Sequence, residues 1–531
     1  MNLKITKFLF LVFVMLSVSC TDLFGQSSTV YNIVDFGAKQ GENINAQKAI
    51  QDAIDQCSKD GGGTVLVPSG TFYTSTVYLK SKINLQLNNG ATLMAMADKN
   101  LYKNEKIGLE DAGDHFIPAL IVAHKIENFS ITGQGTIKGQ PTFYYTTVKD
   151  KDVYPGWNEN ALKSGASMER PWVNDPKISL VYISDCKNIL LDGISIVDSP
   201  NWSCHIQWSQ NVRINGITIT SSLKEGVNSD GLDIDGCKNV IVSNSIIQTG
   251  DDAICLKTTK QGPRSDSCED ILIDNCILSS TSCALKIGTE SQSDFKRISF
   301  TNCTISESNR GIGIIVRDGG TVSDVTISNI TMDLKRKPVF WWGNGEAFHL
   351  NVFKRNPDSR LGKIENVTLH NIRGSVEGTS SIIGLGDGNN TIHNISLQNI
   401  DLKIKKESEK DKRATHAIEV LNASDISLKE VKINWEEGGG EPMWSNALYA
   451  KNVDGLMVEG FQANQEAIQN KASDILLSDV KNALIQPKSI NNVRVQAEGK
   501  RSENITVLQT GGKITVINNL PNKKQVKTSI Q

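Results

Sequence analysis

The sequence predicts an all-β fold: a right-handed, single-stranded parallel β-helix with a short capping helix at its N-terminal end. Two observations lead to this prediction. The first is a repeated segment, seen clearly at 187–194, in which Asn or Asp precedes apolar residues that alternate with polar ones. Between many neighbouring copies the step is roughly 23 to 31 residues, a spacing typical of solenoids. The second is the composition of each copy, rich in Val, Ile and Thr with a period of two, as in β-strands.

The repeat runs through most of the chain. Its other copies begin at Glu127, Gln210, Lys238, Glu269, Ser323, Glu365, His393, Ser424 and Ser473. Asn and Gly at the corners of each copy tolerate left-handed backbone geometry, which lets one strand turn sharply into the next. One coil cannot bury its apolar face alone, whereas a stack of coils encloses a continuous core. A β-propeller is the main alternative, but its blades are longer and no Trp-Asp or Gly-His signature is present.

The two open ends of a β-helix need cover, because unpaired strand edges pair with other chains. Apolar residues recur at helical spacing from Ala46 to Cys57, preceded by Asn45 as a cap and followed by three glycines at 61–63. This pattern predicts a helix over the first coil. The β-helix domain is expected to span 26–500. The repeat weakens beyond it, so 501–531 is expected to be an extension with a loose tail from Pro521.

Residues 1–19 are typical of an export signal. Lys4 and Lys7 precede an apolar core at 8–16, which is too short to span a bilayer. Small residues lead into Cys20, which predicts either a lipidated lipoprotein cysteine or ordinary cleavage at Cys20 or nearer Gln26. In each case we expect an exported protein: periplasmic, an outer-membrane lipoprotein or secreted. No later segment is apolar enough for a membrane span.

Composition excludes several classes of function. The formal charge is −2, and no basic stretch with interleaved aromatic residues favours nucleic-acid binding. Nine cysteines lie beyond the signal. Cys276 and Cys303 occupy near-identical strand positions, which indicates a stacked interior ladder more than disulfides. No metal-ligand spacing is present, so neither a metal nor another cofactor is expected, and the protein is expected to be a monomer.

Three acids stand out from the repeat. Asp230 lies in the Asn-Ser-Asp-Gly-Leu-Asp stretch at 228–233, and Asp251 and Asp252 follow about one coil later. Residues one coil apart lie on adjacent strands, roughly 4.8 Å from each other, so the carboxylates should cluster and at least one pKa should rise. A raised carboxylic acid beside an ionised carboxylate is what glycoside hydrolysis needs. The simpler alternative is that turn aspartates cap backbone amides.

Around these acids the chain resembles the polygalacturonases, glycoside hydrolase family 28, over about residues 30–335. Besides the two acidic motifs, the resemblance rests on segments at 35–38, 61–65, 67–71, 90–93, 131–137 and 199–202 with His205. The opening segments are shared by other pectin-type β-helices, so they indicate fold more than reaction. The acidic motifs are more specific. The resemblance implies a polysaccharide substrate.

The resemblance also implies roles for the acids. Asp251 matches the general acid, and Asp230 and Asp252 match the pair that binds and deprotonates the attacking water. Asn228, in the same motif, is expected to contact substrate. The family inverts the anomeric configuration without a metal, which implies the wide carboxylate spacing of a single displacement.

Two motifs of the family are missing. The Gly-His-Gly position is Ser-Cys-Ala at 282–284, so Cys283 replaces the histidine, and the Arg-Ile-Lys position is Gly-Ile-Ile at 313–315. The lost cations resemble a clamp for the galacturonate carboxylate beside the cleaved bond, and their loss should cost several kcal/mol of uronate binding. We therefore expect a different sugar there, such as rhamnose in a rhamnogalacturonan-type or algal polysaccharide. An inactive protein is the alternative.

Replacement contacts are expected from nearby polar and aromatic residues. The candidates for substrate binding are Cys283, Lys286, Glu290, Arg317, Trp341, Trp342 and Glu346. Adjacent tryptophans in a loop can stack on sugar faces. The alternative is that one tryptophan packs under the loop and the charges are solvated.

Two other functions fit the same fold. A polysaccharide lyase would use Ca²⁺ on the acid cluster and a Lys or Arg base. A non-catalytic carbohydrate-binding β-helix would hold the chain without cutting it.

Overall fold

The computed structural model describes residues 29–102, 118–149, 158–174, 177–386, 388–437, 441, 443–464, 472–488, 493–509 and 513–530. Two α-helices are present among them, α1 (Gln47–Lys59) and α2 (Asn158–Ser164). Short 3-10 helices cover Ile33–Phe36, Lys99–Tyr102, Pro141–Phe143 and Lys523–Gln525. All other regular structure in the described residues is β-strand, as predicted.

The strands of the first half are β1 (Val30–Asn32), β2 (Gly63–Val67), β3 (Gly70–Thr74), β4 (Val77–Tyr78), β5 (Ile83–Leu87), β6 (Ala91–Ala95), β7 (Ala119–His124), β8 (Glu127–Gly133), β9 (Thr136–Lys138), β10 (Tyr145–Lys149), β11 (Glu169–Val173), β12 (Ser179–Ser184), β13 (Lys187–Asp192), β14 (Ser195–Val197), β15 (Cys204–Gln207), β16 (Gln210–Asn215), β17 (Thr218–Thr220), β18 (Leu232–Asp235), β19 (Lys238–Ser243), β20 (Ile246–Thr249) and β21 (Ile254–Thr258).

The strands of the second half are β22 (Cys268–Asp274), β23 (Ile277–Ser280), β24 (Cys283–Ser291), β25 (Phe295–Thr301), β26 (Thr304–Ser308), β27 (Arg310–Val316), β28 (Thr321–Leu334), β29 (Glu346–Val352), β30 (Lys363–Val376), β31 (Ser380–Ile383), β32 (Ile392–Ile404), β33 (Ile418–Trp435), β34 (Leu448–Glu459), β35 (Gln462–Asn464), β36 (Ile475–Ser478), β37 (Lys481–Gln486), β38 (Val493–Glu498), β39 (Glu503–Gln509), β40 (Ile514–Asn518) and β41 (Val526–Ile530).

Apart from β10 and β11, these strands stack in parallel as the coils of a right-handed β-helix, which confirms the predicted fold. Each strand pairs with the strand one coil away, and the pairs form three faces. The face that matters for function, here called the front sheet, runs through β4, β7, β12, β15, β18, β21, β24, β27, β29, β31, β33, β34, β36, β38 and β40. In register along it, Leu232, Ile254, Leu285 and Ile312 all point inward and are fully buried.

The corners follow from Asn residues in the left-handed region. Asn188, Asn211 and Asn239 each have φ 57°. Their side chains form a ladder in which Asn211 donates to Asn188 at 2.9 Å and Asn239 donates to Asn211 at 3.2 Å. Asn fits here because its short amide tolerates this backbone conformation while bonding to the coil below. The repeated Asn residues of the sequence thus link each coil to the next through side-chain hydrogen bonds.

The N-terminal cap is where the sequence predicts it. Helix α1 buries Ala49, Ile50, Ala53, Ile54 and Cys57 against the first coil. It begins at Gln47, and the Asn45 side chain accepts a hydrogen bond from the Gln47 N–H at 3.0 Å. All nine described cysteines are buried and free, which agrees with the predicted interior ladder.

The expectation of a loose tail is wrong. Strand β39 pairs in parallel with β37, β40 with β38, and β41 with β39, so the coils continue to Ile530. Ile505 and Val507 are buried, whereas the strands beyond them are partly exposed. Partial exposure of these strands agrees with their weak apolar pattern.

Between β9 and β12 the chain leaves the coils. The described part of this excursion, residues 141–149 and 158–174, is here called the side arm; it contains the antiparallel pair β10–β11 and helix α2. Ala161 and Met168 of the side arm pack against Val339, which lies several coils later. The side arm therefore forms a wall along one side of the helix.

The export signal and Cys20 lie outside the described residues. Among the residues that the structure describes, no helix combines the length and apolar character needed to cross a membrane.

Candidate active site

The site candidates lie on the front sheet and in the turns that lead into it. Asp230 precedes β18, and Asp251 and Asp252 precede β21, its parallel neighbour. The two turns are tied together, because the Gly231 N–H donates to the Asp252 carbonyl oxygen at 2.8 Å. Adjacent turns of the solenoid thus bring the three acids to one place.

One carboxylate oxygen from each of the three aspartates lies within 4.8 Å of the others, and all three side chains are buried. The predicted cluster is therefore present. These are the nearest oxygens of the three groups, so the spacing between the acid and the base that the resemblance implied stays a prediction.

The surroundings of Asp251 disfavour the ionised form of its carboxyl group. Burial raises its pKa well above the ordinary value, and the carboxylates of Asp230 and Asp252 raise it further. Its oxygens accept backbone hydrogen bonds from Asp252 at 2.9 Å and from Asn228 at 3.2 Å, which fix its orientation. The geometry therefore presents a protonated, oriented carboxylic acid.

The other two aspartates each have a lysine partner. Lys286 Nζ donates to Asp252 at 2.5 Å, and Lys257 Nζ donates to Asp230 at 3.3 Å. Burial raises the pKa of Asp230, while Lys257 opposes this shift and Asp252 adds to it. The cations offset part of the repulsion among the carboxylates, which lets some of them ionise beside Asp251.

Lys257 is the centre of a wider ionic network. Besides Asp230, its Nζ lies 3.3 Å from Asp233 and 3.4 Å from Glu290. It also lies 4.4 Å from the centre of the Trp202 ring. Burial raises the pKa of Glu290, but Lys257, Lys286 and Arg355 outweigh it and hold that pKa at about 2. Of the predicted contacts, Lys286 and Glu290 thus do adjoin the aspartates.

Cys283 and Glu346 are brought close to the site, although neither is open to a sugar. Cys283 is fully buried, and its N–H donates to Asp252 at 3.2 Å. Glu346 is 1% exposed, and its Oε1 accepts a hydrogen bond from Arg310 Nε at 2.6 Å. The expectation that Glu346 binds sugar hydroxyls directly is therefore wrong, because a buried arginine occupies it.

The two adjacent tryptophans differ in their exposure to solvent. Trp341 is 3% exposed and packs beside Phe340, so it cannot stack on a sugar, whereas Trp342 is 44% exposed. The arrangement agrees with the alternative in which one tryptophan packs under its loop. Arg317 lies past the end of β27 with its guanidinium 4.7 Å from the centre of the Phe353 ring.

The side arm adds a wall beside the acids. Tyr145 donates from its hydroxyl to the Ser199 carbonyl oxygen at 3.2 Å. Burial raises the pKa of Tyr145, and the carboxylates of Asp198, Glu225 and Asp251 add to the shift. The phenol therefore stays neutral beside the cluster.

The comparison that decides the family is a match of residues 57–417 to the model of glycosyl hydrolases family 28. The chain belongs to this family. As a family 28 member it is a glycoside hydrolase, polygalacturonase-like, that acts on O-glycosyl bonds.

Individual relatives of this family 28 protein are distant. A probable polygalacturonase of Vitis vinifera is 27% identical over 343 residues, covering 60% of this chain and 63% of that protein, less than two thirds of the relative. An endo-polygalacturonase of Pectobacterium carotovorum subsp. carotovorum is 26% identical over 308 residues, covering 56% and 72%. The solved exopolygalacturonase of Thermotoga maritima is similar with a TM-score of 0.57 at 22% identity, over 71% of this chain and 87% of that one. This likeness shows the shared fold.

Sequence reasoning missed several residues of this family 28 site. Lys257, Asp233, Arg310 and Tyr145 were not among the candidates, yet each lies at or beside the acid cluster. Two had a usable signal. Lys257 follows Asp251 on a strand whose alternate residues face outward, and Arg310 lies one coil after Cys283, in register with it. Tyr145 had none, because the side arm lies outside the repeat.

Proposed function

We propose that this family 28 protein is an inverting hydrolase of a polysaccharide that contains uronic acid, rhamnose or both. Polygalacturonases among its relatives support a uronic-acid polysaccharide as substrate. The observation that carries the mechanism is Asp251, a buried acid with a raised pKa within 4.8 Å of two further carboxylates. We also propose that the protein acts as a monomer.

The reaction is a single displacement. Asp251 gives its proton to the glycosidic oxygen, which leaves with the electrons of the broken C–O bond. A water between Asp230 and Asp252 loses a proton to one of these carboxylates as its oxygen attacks the anomeric carbon. Attack opposite to the leaving oxygen inverts that carbon. Net charge on the acids is conserved, because one carboxylate gains the proton that Asp251 loses.

The lysines favour hydrolysis over elimination. A lyase of this fold would need a neutral basic side chain to take a proton from the uronate ring. Burial alone would lower the pKa of Lys257, but Cys255, Asp233 and Asp230 raise it well above its ordinary value. The pKa of Lys286 is raised as well, with Asp252 overcoming the effect of burial. Both lysines stay protonated and serve as counterions.

The test compares wild type with Asp251→Asn on polygalacturonan, rhamnogalacturonan and algal uronate–rhamnose polysaccharides. Reducing ends and UV absorbance are followed together, and NMR of the first products gives their anomeric configuration. Hydrolysis should produce inverted reducing ends without UV absorbance, and Asp251→Asn should lower kcat by roughly 10²- to 10⁴-fold, the usual contribution of a general acid.

The matched control is Asp324→Asn, which changes an exposed aspartate at a corner with φ 57°, a conformation that Asn adopts readily. Its activity should equal that of wild type. Unsaturated, UV-absorbing products would show a lyase, retained configuration would contradict the single displacement, and binding without cleavage would identify a carbohydrate-binding protein.

We also propose that the protein works outside the cytosol. The support is the signal-like segment at 1–19 and the lipidation candidate Cys20, both in the sequence before the first described residue.

A further inference from the structure

Gly313 brings no side chain to the front sheet next to the acids, and the place that its side chain would take is here called the gap. It lies between Lys286 and His349, in register with both on the neighbouring strands. A Cβ at this position would lie 3.0 Å from Cys283 Sγ and 3.3 Å from Arg310 Cδ. The Arg310 side chain therefore already takes the space from which a longer side chain at 313 would rise.

The Arg310 side chain is held in place and still has N–H donors that could bind a ligand. Its side chain is 8% exposed and is held through Nε by Glu346 at 2.6 Å. Among the described residues, the only side-chain hydrogen bond of Arg310 is this one through Nε, so its two Nη nitrogens keep their N–H donors for a ligand. A guanidinium fixed in this way offers planar, preoriented N–H groups at little entropic cost.

The charges around Arg310 determine which ligand groups its N–H donors can bind. Each cation near the gap already has its own carboxylate: Arg310 has Glu346, Lys286 has Asp252, and Lys257 has Asp230. A uronate placed here would add a negative charge beside Asp252 with no surplus cation to offset it. Hydroxyl groups carry no such cost and accept N–H donors well.

The next residue along the sheet agrees with this reading. Burial lowers the pKa of His349 well below its ordinary value, and the Arg310 charge lowers it further, so the imidazole is neutral. Its Nδ1 lies 2.7 Å from Ser381 Oγ. Beyond Gly313, the front sheet thus continues with the neutral hydrogen-bonding groups of His349 and Ser381.

We propose that Arg310, oriented and neutralised by Glu346, determines specificity by binding the hydroxyl groups of a neutral sugar over Gly313, next to the cleaved bond. The inference rests on the proposed function and deepens it, since it names the kind of sugar that this part of the site accepts. Arg310 then selects a polysaccharide in which a neutral residue adjoins the bond, such as a rhamnogalacturonan-type chain, over one made only of uronates.

The experiment measures kcat/KM on rhamnogalacturonan and on polygalacturonan for wild type, Glu346→Gln and Arg310→Lys. Wild type should prefer rhamnogalacturonan. Glu346→Gln leaves Arg310 with an uncompensated charge, so the polygalacturonan-to-rhamnogalacturonan ratio should rise roughly tenfold or more, the value of one charge-assisted contact. Arg310→Lys keeps the charge but loses the planar donors, and it should raise KM on rhamnogalacturonan.

The control is Glu436→Gln, which breaks an exposed ion pair with Lys403 and should leave the ratio unchanged. Circular dichroism checks that each variant is folded, and Arg310→Lys still tests the inference if Glu346→Gln does not fold. Equal wild-type activity on both polymers, or a ratio unmoved by Glu346→Gln, would overturn the inference while leaving the hydrolase intact.

Absence of cleavage on every polymer would instead contradict the proposed function. Calorimetry with oligosaccharides of the two polymers then tests Arg310 alone. Tighter binding of the rhamnogalacturonan oligosaccharide, lost in Arg310→Lys, would support its role, and equal binding would refute it.

Discussion

At the scale of single residues, Asp251 is where stability and catalysis conflict. Its proton is held more tightly in the folded protein than in the unfolded chain, because burial and two neighbouring carboxylates penalise the charge. By linkage, Asp251 adds stability at low pH and loses that contribution as the pH rises through its raised folded-state pKa. Ionisation of Asp251 therefore destabilises the fold, although the same raised pKa is what the proposed reaction needs.

We expect Asp251→Asn to unfold at a higher temperature than wild type at pH values above the raised pKa, because the amide cannot ionise. The difference should shrink as the pH is lowered towards the ordinary range of an aspartate. Calorimetric scans over a series of pH values measure it. A variant less stable than wild type at high pH would show that the two backbone hydrogen bonds to the carboxylate outweigh its repulsion.

The residues of the site were predictable where they follow the repeat. Asp230 and the 251–252 pair meet because one coil returns the chain to the same place, which spacing alone indicates. The ion pair of Glu346 with Arg310 was not predictable, because the repeat places Arg310 at the start of β27 but does not say whether its side chain lies against Gly313 or faces solvent. Which tryptophan of the pair is buried was not predictable either, because the loop that carries them lies outside the repeat.

At the scale of elements, helix α1 closes one end of the core. Replacing Ile54, which is fully buried, with Ala should lower the free energy of unfolding by about 2 to 5 kcal/mol, because a cavity opens under the cap. Denaturant unfolding measures the change. The control is Lys48→Ala, whose side chain is 84% exposed and whose loss should change stability little.

The last coils make the opposite end. Truncation after Lys500 removes β39 to β41 and uncovers the edges of β37 and β38. We expect a lower unfolding temperature and a greater tendency to aggregate, since Ile505 and Val507 no longer cover the coil beneath. Light scattering and thermal unfolding check this. A truncated protein as stable as the full chain would mean that these strands contribute nothing.

At the scale of the whole molecule, the fold was predictable because every coil repeats one local rule. Alternation defines each strand, and an Asn or Asp such as Asn188 marks the corner between two of them. The side arm escaped prediction because its packing depends on Val339, which is far away in sequence and belongs to a loop without a repeat. Local pattern thus predicts the stack but not what is attached to it.

Lipidation of Cys20, one of the two alternatives that the sequence predicts, has a direct test. If Cys20 carries a lipid, Cys20→Ser should move the protein from the membrane fraction to the soluble exported fraction of a bacterial host, because the anchor is lost. Fractionation followed by mass spectrometry of the N-terminus measures this. Recovery of wild type in the soluble fraction, without lipid, would instead show ordinary cleavage.

The side arm has a mechanical consequence. Hydrogen bonds between coils run along the axis of the solenoid, so a pulling force between its ends should open outer coils one after another at low force. Ala161 and Met168 of the side arm pack against Val339, and this contact joins the coils between β9 and β28 into one block. In an extension experiment on single molecules, these coils, which carry the aspartates, should therefore yield last and together.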